Sequence, residues 1–229
     1  MIPLLGTMRL VPKQNTSSGK RKWSLSITLA AEDDMKKIMF NDQYCLTKAV
    51  LEGRKTQTRR IIPQSVIDMA KEYQIGYHDG AFDAISLEDI LIDTKHFVGH
   101  KQLSRYAVDE EIAIAQAYKD CKRVIDLAYT AGWDNKMFVN AIYMPHRILI
   151  TNILVERLQD ISDKDCMLEG IDRVDKCFGY WKQESNGGLS FYDAATCREA
   201  FAKLVDKVSG KGTWKSNPLV FVYDFVLVK

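Results

Sequence analysis

Apolar and polar positions recur at two different periods along this chain, and each change of period marks a new element. Tyr44, Leu46, Ala49 and Val50 stand at helical spacing, which predicts a helix over 43–52 stopped by Gly53 in a left-handed conformation. An extended segment through Ile61 and Ile62 to Pro63 follows. Ser65-Val66-Ile67-Asp68 and Ser86-Leu87-Glu88-Asp89 each place a serine three residues before an acid, the pattern of a helix start. Residues 64–105 therefore read as an insertion of short helices. Ile112, Ile114 and Gln116 share one face of an alternating strand, and a helical stretch is predicted near 119–131. Residues 148–158 are a long β-rich run, Ser162 opens a short helix closed by Gly170, and residues 172–192 read as a loop or hairpin around Gly187-Gly188. Asp193 is placed to cap a helix whose apolar stripe is Ala194, Cys197, Phe201, Leu204, Val205 and Val208. Residues 219–228 are apolar on almost both faces, which predicts a strand in the middle of a sheet.

Strands and helices do not alternate regularly, so a βαβ fold is excluded. The pattern fits an α+β protein: a small, partly closed mixed β-barrel with peripheral helices and a helical insertion. Residues 1–34 lack a stable period and carry the polar run Lys13 to Lys22, although Trp23 to Leu29 alternates like a strand. They read as an N-terminal arm, and Met35 resembles a second natural start for a domain over 35–229.

Composition narrows the function. Net charge is only +2, so any case for a nucleic-acid partner must be local rather than global. No run of 18 apolar residues exists, and the opening apolar stretch is too short for a signal peptide; the expectation is a cytoplasmic protein with no membrane partner. The five cysteines are odd in number and form no C-x-x-C pair, which suits free thiols and gives no zinc or thioredoxin-type site. His96 and His100 stand four apart without a third ligand nearby, so no metal and no cofactor is expected.

The local case is residues 54–60, where Arg54, Lys55, Arg59 and Arg60 accompany Thr56 and Thr58 within seven residues. Arginine offers a planar fork of donors and lysine a compact point charge, so the cluster suits an anion. Lys55 near Thr58 is also a candidate base-and-nucleophile pair. The bland alternative is a solvated basic turn after a helix.

Gly53-x-Lys55-x-x-Thr58-x-Arg60 resembles the signature of ASCH domains, which have a PUA-like β-barrel fold. The likeness to the phage-associated branch continues through Phe40-Asn41, Met144-Pro145, Val155 to Ser162, Glu169-Gly170-Ile171, Phe201 to Leu204, Trp214 and Asn217-Pro218. It spans about residues 38–228 in order. The resemblance implies a basic cavity at the barrel mouth fitted to RNA, a nucleotide or a modified nucleoside. Lys55, Thr58, Arg59, Arg60, Gln116 and Arg147 would bind the ligand. Some members of the wider family are amidohydrolases on an N4-acylated cytidine, and by that likeness Lys55 would orient or activate and Thr58 would be the nucleophile.

One position departs from the family. Where relatives carry Arg-Glu at the end of a strand, this chain has Ala115-Gln116, and an amide cannot transfer protons near neutral pH. The expectation is therefore binding first, with amidohydrolysis as the alternative. A phage-derived interaction module with a vestigial cavity is the third reading.

Overall fold

The apolar C-terminal run organises the protein, because a strand that is apolar on both faces fits the covered interior of a sheet better than its edge. In a computed structural model the described residues are 35–76, 86–92, 103–121 and 125–228. The chain divides after Met35, and Lys36–Lys229 form one unit. The expected arm over 1–34, its strand at 23–29, and His96 and His100 lie outside the described residues.

The strands are β1 (Lys37–Ile38), β2 (Gln57–Ile61), β3 (Glu111–Ile114), β4 (Arg147–Arg157), β5 (Asp172–Val174), β6 (Cys177–Gln183), β7 (Leu189–Ala194) and β8 (Leu219–Val228). The helices are α1 (Leu46–Leu51), α2 (Gln64–Gly76), α3 (Leu87–Ile92), α4 (Asp163–Leu168), α5 (Cys197–Val208) and α6 (Thr213–Ser216). The protein is α+β, as its mixed periods predict. One sheet has the order β1-β3-β4-β8-β2, with only β1 and β3 parallel, and the other is the meander β5-β6-β7. β8 sits between β4 and β2, as its two apolar faces favour.

The five-stranded sheet does not close into a barrel. β1 and β2 end the sheet without pairing with each other, yet the chain just after β1 comes back to β2: Arg60 Nη2 donates to Met39 O at 2.6 Å. Phe40 meanwhile lies 5.8 Å from the Phe225 ring of β8. A side chain spans the gap where a barrel would have a backbone ladder.

Several starts and stops follow the sequence closely. Gly53 has φ 73° after α1 and Gly170 has φ 99° after α4, the conformation glycine adopts most cheaply. Ser86 and Ser162 cap α3 and α4 by accepting from the Asp89 and Asp165 amides. Residues 172–192 form the β5-β6-β7 meander.

Other expectations change. α2 starts one residue before Ser65, with Pro63 O accepting from the Val66 amide. α5 is capped by Thr196, not Asp193, which ends up in β7; Thr196 Oγ1 accepts from Glu199 N at 3.1 Å. β3 stops at Ile114, before Gln116. The described residues of the stretch 119–131 form 3-10 turns at Tyr118–Asp120 and Ile125–Leu127 instead of the expected helix, with 122–124 outside the described residues. The Tyr118 amide donates to Gly132 O at 2.9 Å, and the Tyr118 ring fills the space a Cβ at Gly132 would need. Among the described residues no helix is long and apolar enough to cross a membrane.

Tyr223, at the centre of β8, is 1% exposed and packs edge-on against Tyr106 at 5.2 Å. Burial pushes its hydroxyl pKa up from 10.0 to about 12. A raised folded pKa means that the neutral phenol is favoured by folding, so this contribution is present below pH 10 and lost as pH rises toward 12. Urea unfolding of wild type and Tyr223→Phe across that range should show a steeper alkaline loss in wild type, by about 2–3 kcal/mol in total. Parallel curves would mean that Tyr223 ionises freely in the fold.

Candidate functional site

The basic cluster is carried into the interior by two left-handed turns. Gly53 ends α1, and the amides of Arg54 and Lys55 both donate to Ala49 O. Thr56 N then donates to Leu168 O at 3.0 Å and Phe225 N donates to Thr56 O at 2.9 Å, which clamps the strand entry between α4 and β8. From there β2 runs antiparallel to β8, with Thr58 opposite Tyr223 and Arg60 opposite Phe221. Strand alternation puts Thr58 and Arg60 on one face, and Gln57 and Arg59 on the other.

The second turn supplies the countercharge. Ser162 caps α4, Glu169 ends it, and Gly170 turns the chain back beneath Lys55. Lys55 is 2% exposed and Glu169 5%. The Lys55 ammonium donates to Glu169 Oε2 at 2.5 Å, to Glu169 O at 2.8 Å and to Gln57 O at 2.7 Å. All three of its N–H groups are thus used. Arg59 takes the other carboxylate oxygen, Nη1 to Glu169 Oε1 at 3.2 Å, and also holds Glu156 through Nε at 2.8 Å and Gln57 Oε1 through Nη1 at 2.5 Å. Burial pushes the Lys55 pKa down, and the Glu169 carboxylate opposes that shift.

Arg60 differs from both. It has no carboxylate partner among the described residues; it donates only to Met39 O and lies 5.8 Å over the Phe40 ring. Lys55 Nζ stands 6.0 Å from the same ring. Burial lowers the Arg60 pKa, yet a guanidinium remains charged at any physiological pH.

Lys55, Thr58, Arg59, Arg60 and Glu169 together line one cavity of about 270 Å³, with Phe40 at one wall and Phe201 and Leu204 of α5 at another. The sequence placed four of these residues in one site. It did not single out Glu169 for the site, although the Glu-Gly pair after a capped helix was a usable signal. The Thr58 hydroxyl has no hydrogen-bond partner among the described residues, so no base is in contact with it.

The remaining candidates go elsewhere. Gln116 lines no part of this cavity: its backbone N–H donates to Met144 Sδ at 3.3 Å, and its side-chain Oε1 is buried without a partner among the described residues. Arg147 pairs with Glu111 at 3.1 Å on the β3–β4 surface, a structural ion pair. Arg54 also turns outward, to Asp172 at 2.8 Å and Glu52 at 2.8 Å. Among the described residues no group of acidic, histidine or cysteine side chains could hold a metal ion.

Removing one member of a buried charge cluster costs most when it strands the others. Glu169→Gln leaves Lys55 without a countercharge and Arg59 without one of its two nearest carboxylates, so it should destabilise by about 3–5 kcal/mol in urea unfolding at neutral pH. Lys55→Met leaves Glu169 on Arg59 and should cost less. The reverse order would show that the carboxylate is not the centre of the cluster. Compared with protein-family models, curated proteins and solved structures, the chain gives no match.

Proposed function

We propose that this protein binds RNA, a nucleotide or a modified nucleoside in the cavity formed by Lys55, Thr58, Arg59 and Arg60. The observation that carries the reading is the convergence of these four residues on one concave site, where Arg60 is the cation that forms no direct ion pair among the described residues. A cavity with aromatic and aliphatic walls and a few fixed polar groups is what a small planar ligand requires. The reading is in keeping with the ASCH resemblance and its PUA-like barrel, in which the corresponding signature lines the cavity mouth. Binding is favoured over chemistry by the state of Lys55. Its three donors are occupied, so it holds charge and position rather than accepting a proton.

One observation favours the second reading, an amidohydrolase on an N4-acylated cytidine. Glu169 brings into the cavity the carboxylate that Gln116 lacks, beside Thr58 and Lys55. If that reading holds, release of the acyl group from an N4-acylated cytidine will disappear in both Thr58→Ala and Glu169→Gln.

Calorimetric titration with cytidine, its nucleotides and a short single-stranded RNA tests the first reading. Binding should appear in wild type and weaken by about tenfold or more in Arg60→Gln, the loss of one charge-assisted contact. No binding of any of these probes, or equal affinity in Arg60→Gln, would overturn it.

A further inference from the structure

Arg60 also faces a second, larger cavity of about 570 Å³, which shares Met39, Arg60 and Ile61 with the first. Among the described residues three cations line it, Lys37 from β1, Arg60 from β2 and Arg105 from the segment before β3, and no carboxylate does. Its aromatic wall is Tyr106, Phe221 and Tyr223, all buried. This balance is unlike that of the smaller cavity, where Glu169 answers Lys55 and Arg59.

The donors here are held in place and only partly used. Lys37 Nζ donates to Met137 O and Val139 O, each at 2.7 Å, which fixes the ammonium and leaves its third N–H without an acceptor among the described residues. Arg60 spends one hydrogen bond on Met39 O. Arg105 lies 5.6 Å over the Tyr106 ring, which orients its guanidinium at the cavity wall. Burial pushes the Lys37 pKa down and the Arg105 charge adds to that shift, so these cations repel one another across the space they enclose. A dianion placed among them relieves the repulsion and takes up the idle donors. Charge-assisted hydrogen bonds of this kind are about twice as strong as neutral ones.

We infer that the larger cavity, lined by Lys37, Arg60 and Arg105, is a phosphate subsite, and that the natural ligand is a phosphorylated nucleoside with its phosphate here and its base in the Lys55–Thr58 cavity. The inference rests on the proposed nucleoside-binding reading. Arg60 belongs to the wall of both cavities, so it reaches both halves of such a ligand. The same phosphate ester could be presented by a free nucleotide or by an RNA end.

Matched pairs separate the two claims. Cytidine and cytidine 5′-monophosphate are titrated calorimetrically into wild type and into Arg105→Gln, Lys37→Met and the double variant, with a short RNA bearing or lacking a 5′-phosphate as a further pair. Arg105 is exposed, so its substitution leaves the core intact. In wild type the monophosphate should bind about tenfold or more tightly than the nucleoside, and the preference should shrink as salt rises. Arg105→Gln should cut that preference several-fold, and the double variant should abolish it, with cytidine affinity unchanged in both. A preference seen with the mononucleotide alone identifies the free nucleotide; one seen with the phosphorylated RNA as well identifies an RNA end. Equal binding of nucleoside and monophosphate by wild type, or a phosphate preference that survives the double variant, overturns the subsite but leaves nucleoside binding standing. No binding of any probe removes both.

Discussion

A buried carboxylate shared by two buried cations is the constraint from which the rest of the site follows. Taking an ion out of water costs several kcal/mol, and that cost is met only where the geometry supplies opposite charge and hydrogen bonds together. Glu169 does this for Lys55 and Arg59 at once, while the backbone oxygens of Gln57 and Glu169 complete the shell of the ammonium. Because these groups come from β2 and from the turn after α4, the cluster joins two elements 110 or more residues apart in sequence. Through Glu156 it also ties β2 to β4, while the backbone ladder joins β2 to β8.

That arrangement explains why four similar side chains end in three different states. Arg54 precedes the clamp at Thr56 and stays in solvent with Asp172 and Glu52. Lys55 and Arg59 enter the clamp and are neutralised. Arg60 alternates to the opposite face of β2, where among the described residues no carboxylate is within ion-pair distance and the Phe40 ring and Met39 carbonyl receive it. The period of two along a strand therefore sorts the cations: one face carries the ion-paired charge, the other the guanidinium that makes no direct ion pair among the described residues.

Local chemistry made much of this legible. Gly53 and Gly170 announce left-handed stops, Ser162 a cap, and the two-sided apolarity of 219–228 a central strand, because each needs only neighbours in sequence. Thr196-x-x-Glu199 was an equally local signal that outweighs Asp193, since Glu199 N finds Thr196 Oγ1. What could not be read was pairing at a distance. Lys55 and Glu169 lie 114 positions apart, and nothing near either residue says which cation the acid will meet. Arg147 failed for the same reason, since Glu111 across the β3–β4 pair claims it first. The stretch 119–131 failed differently: its apolar spacing is helical, but Tyr118 packs on Gly132 and tertiary packing overrides propensity.

The same sorting bears on whether the site reacts or holds. A lysine whose three N–H groups are all donating, one of them to a carboxylate, has no lone pair to offer, and although burial lowers its pKa, losing a proton would break one of those three hydrogen bonds. A threonine without a base in contact keeps its proton. Fixed cations beside aromatic walls, in contrast, need no rearrangement to meet an anion, and their field is strengthened where water is excluded. Chemistry here would require a movement that frees Glu169 from Lys55 or Arg59, at the cost of breaking the cluster that holds β2 in place. Binding requires only that Arg60 and its neighbours stay where the fold has put them.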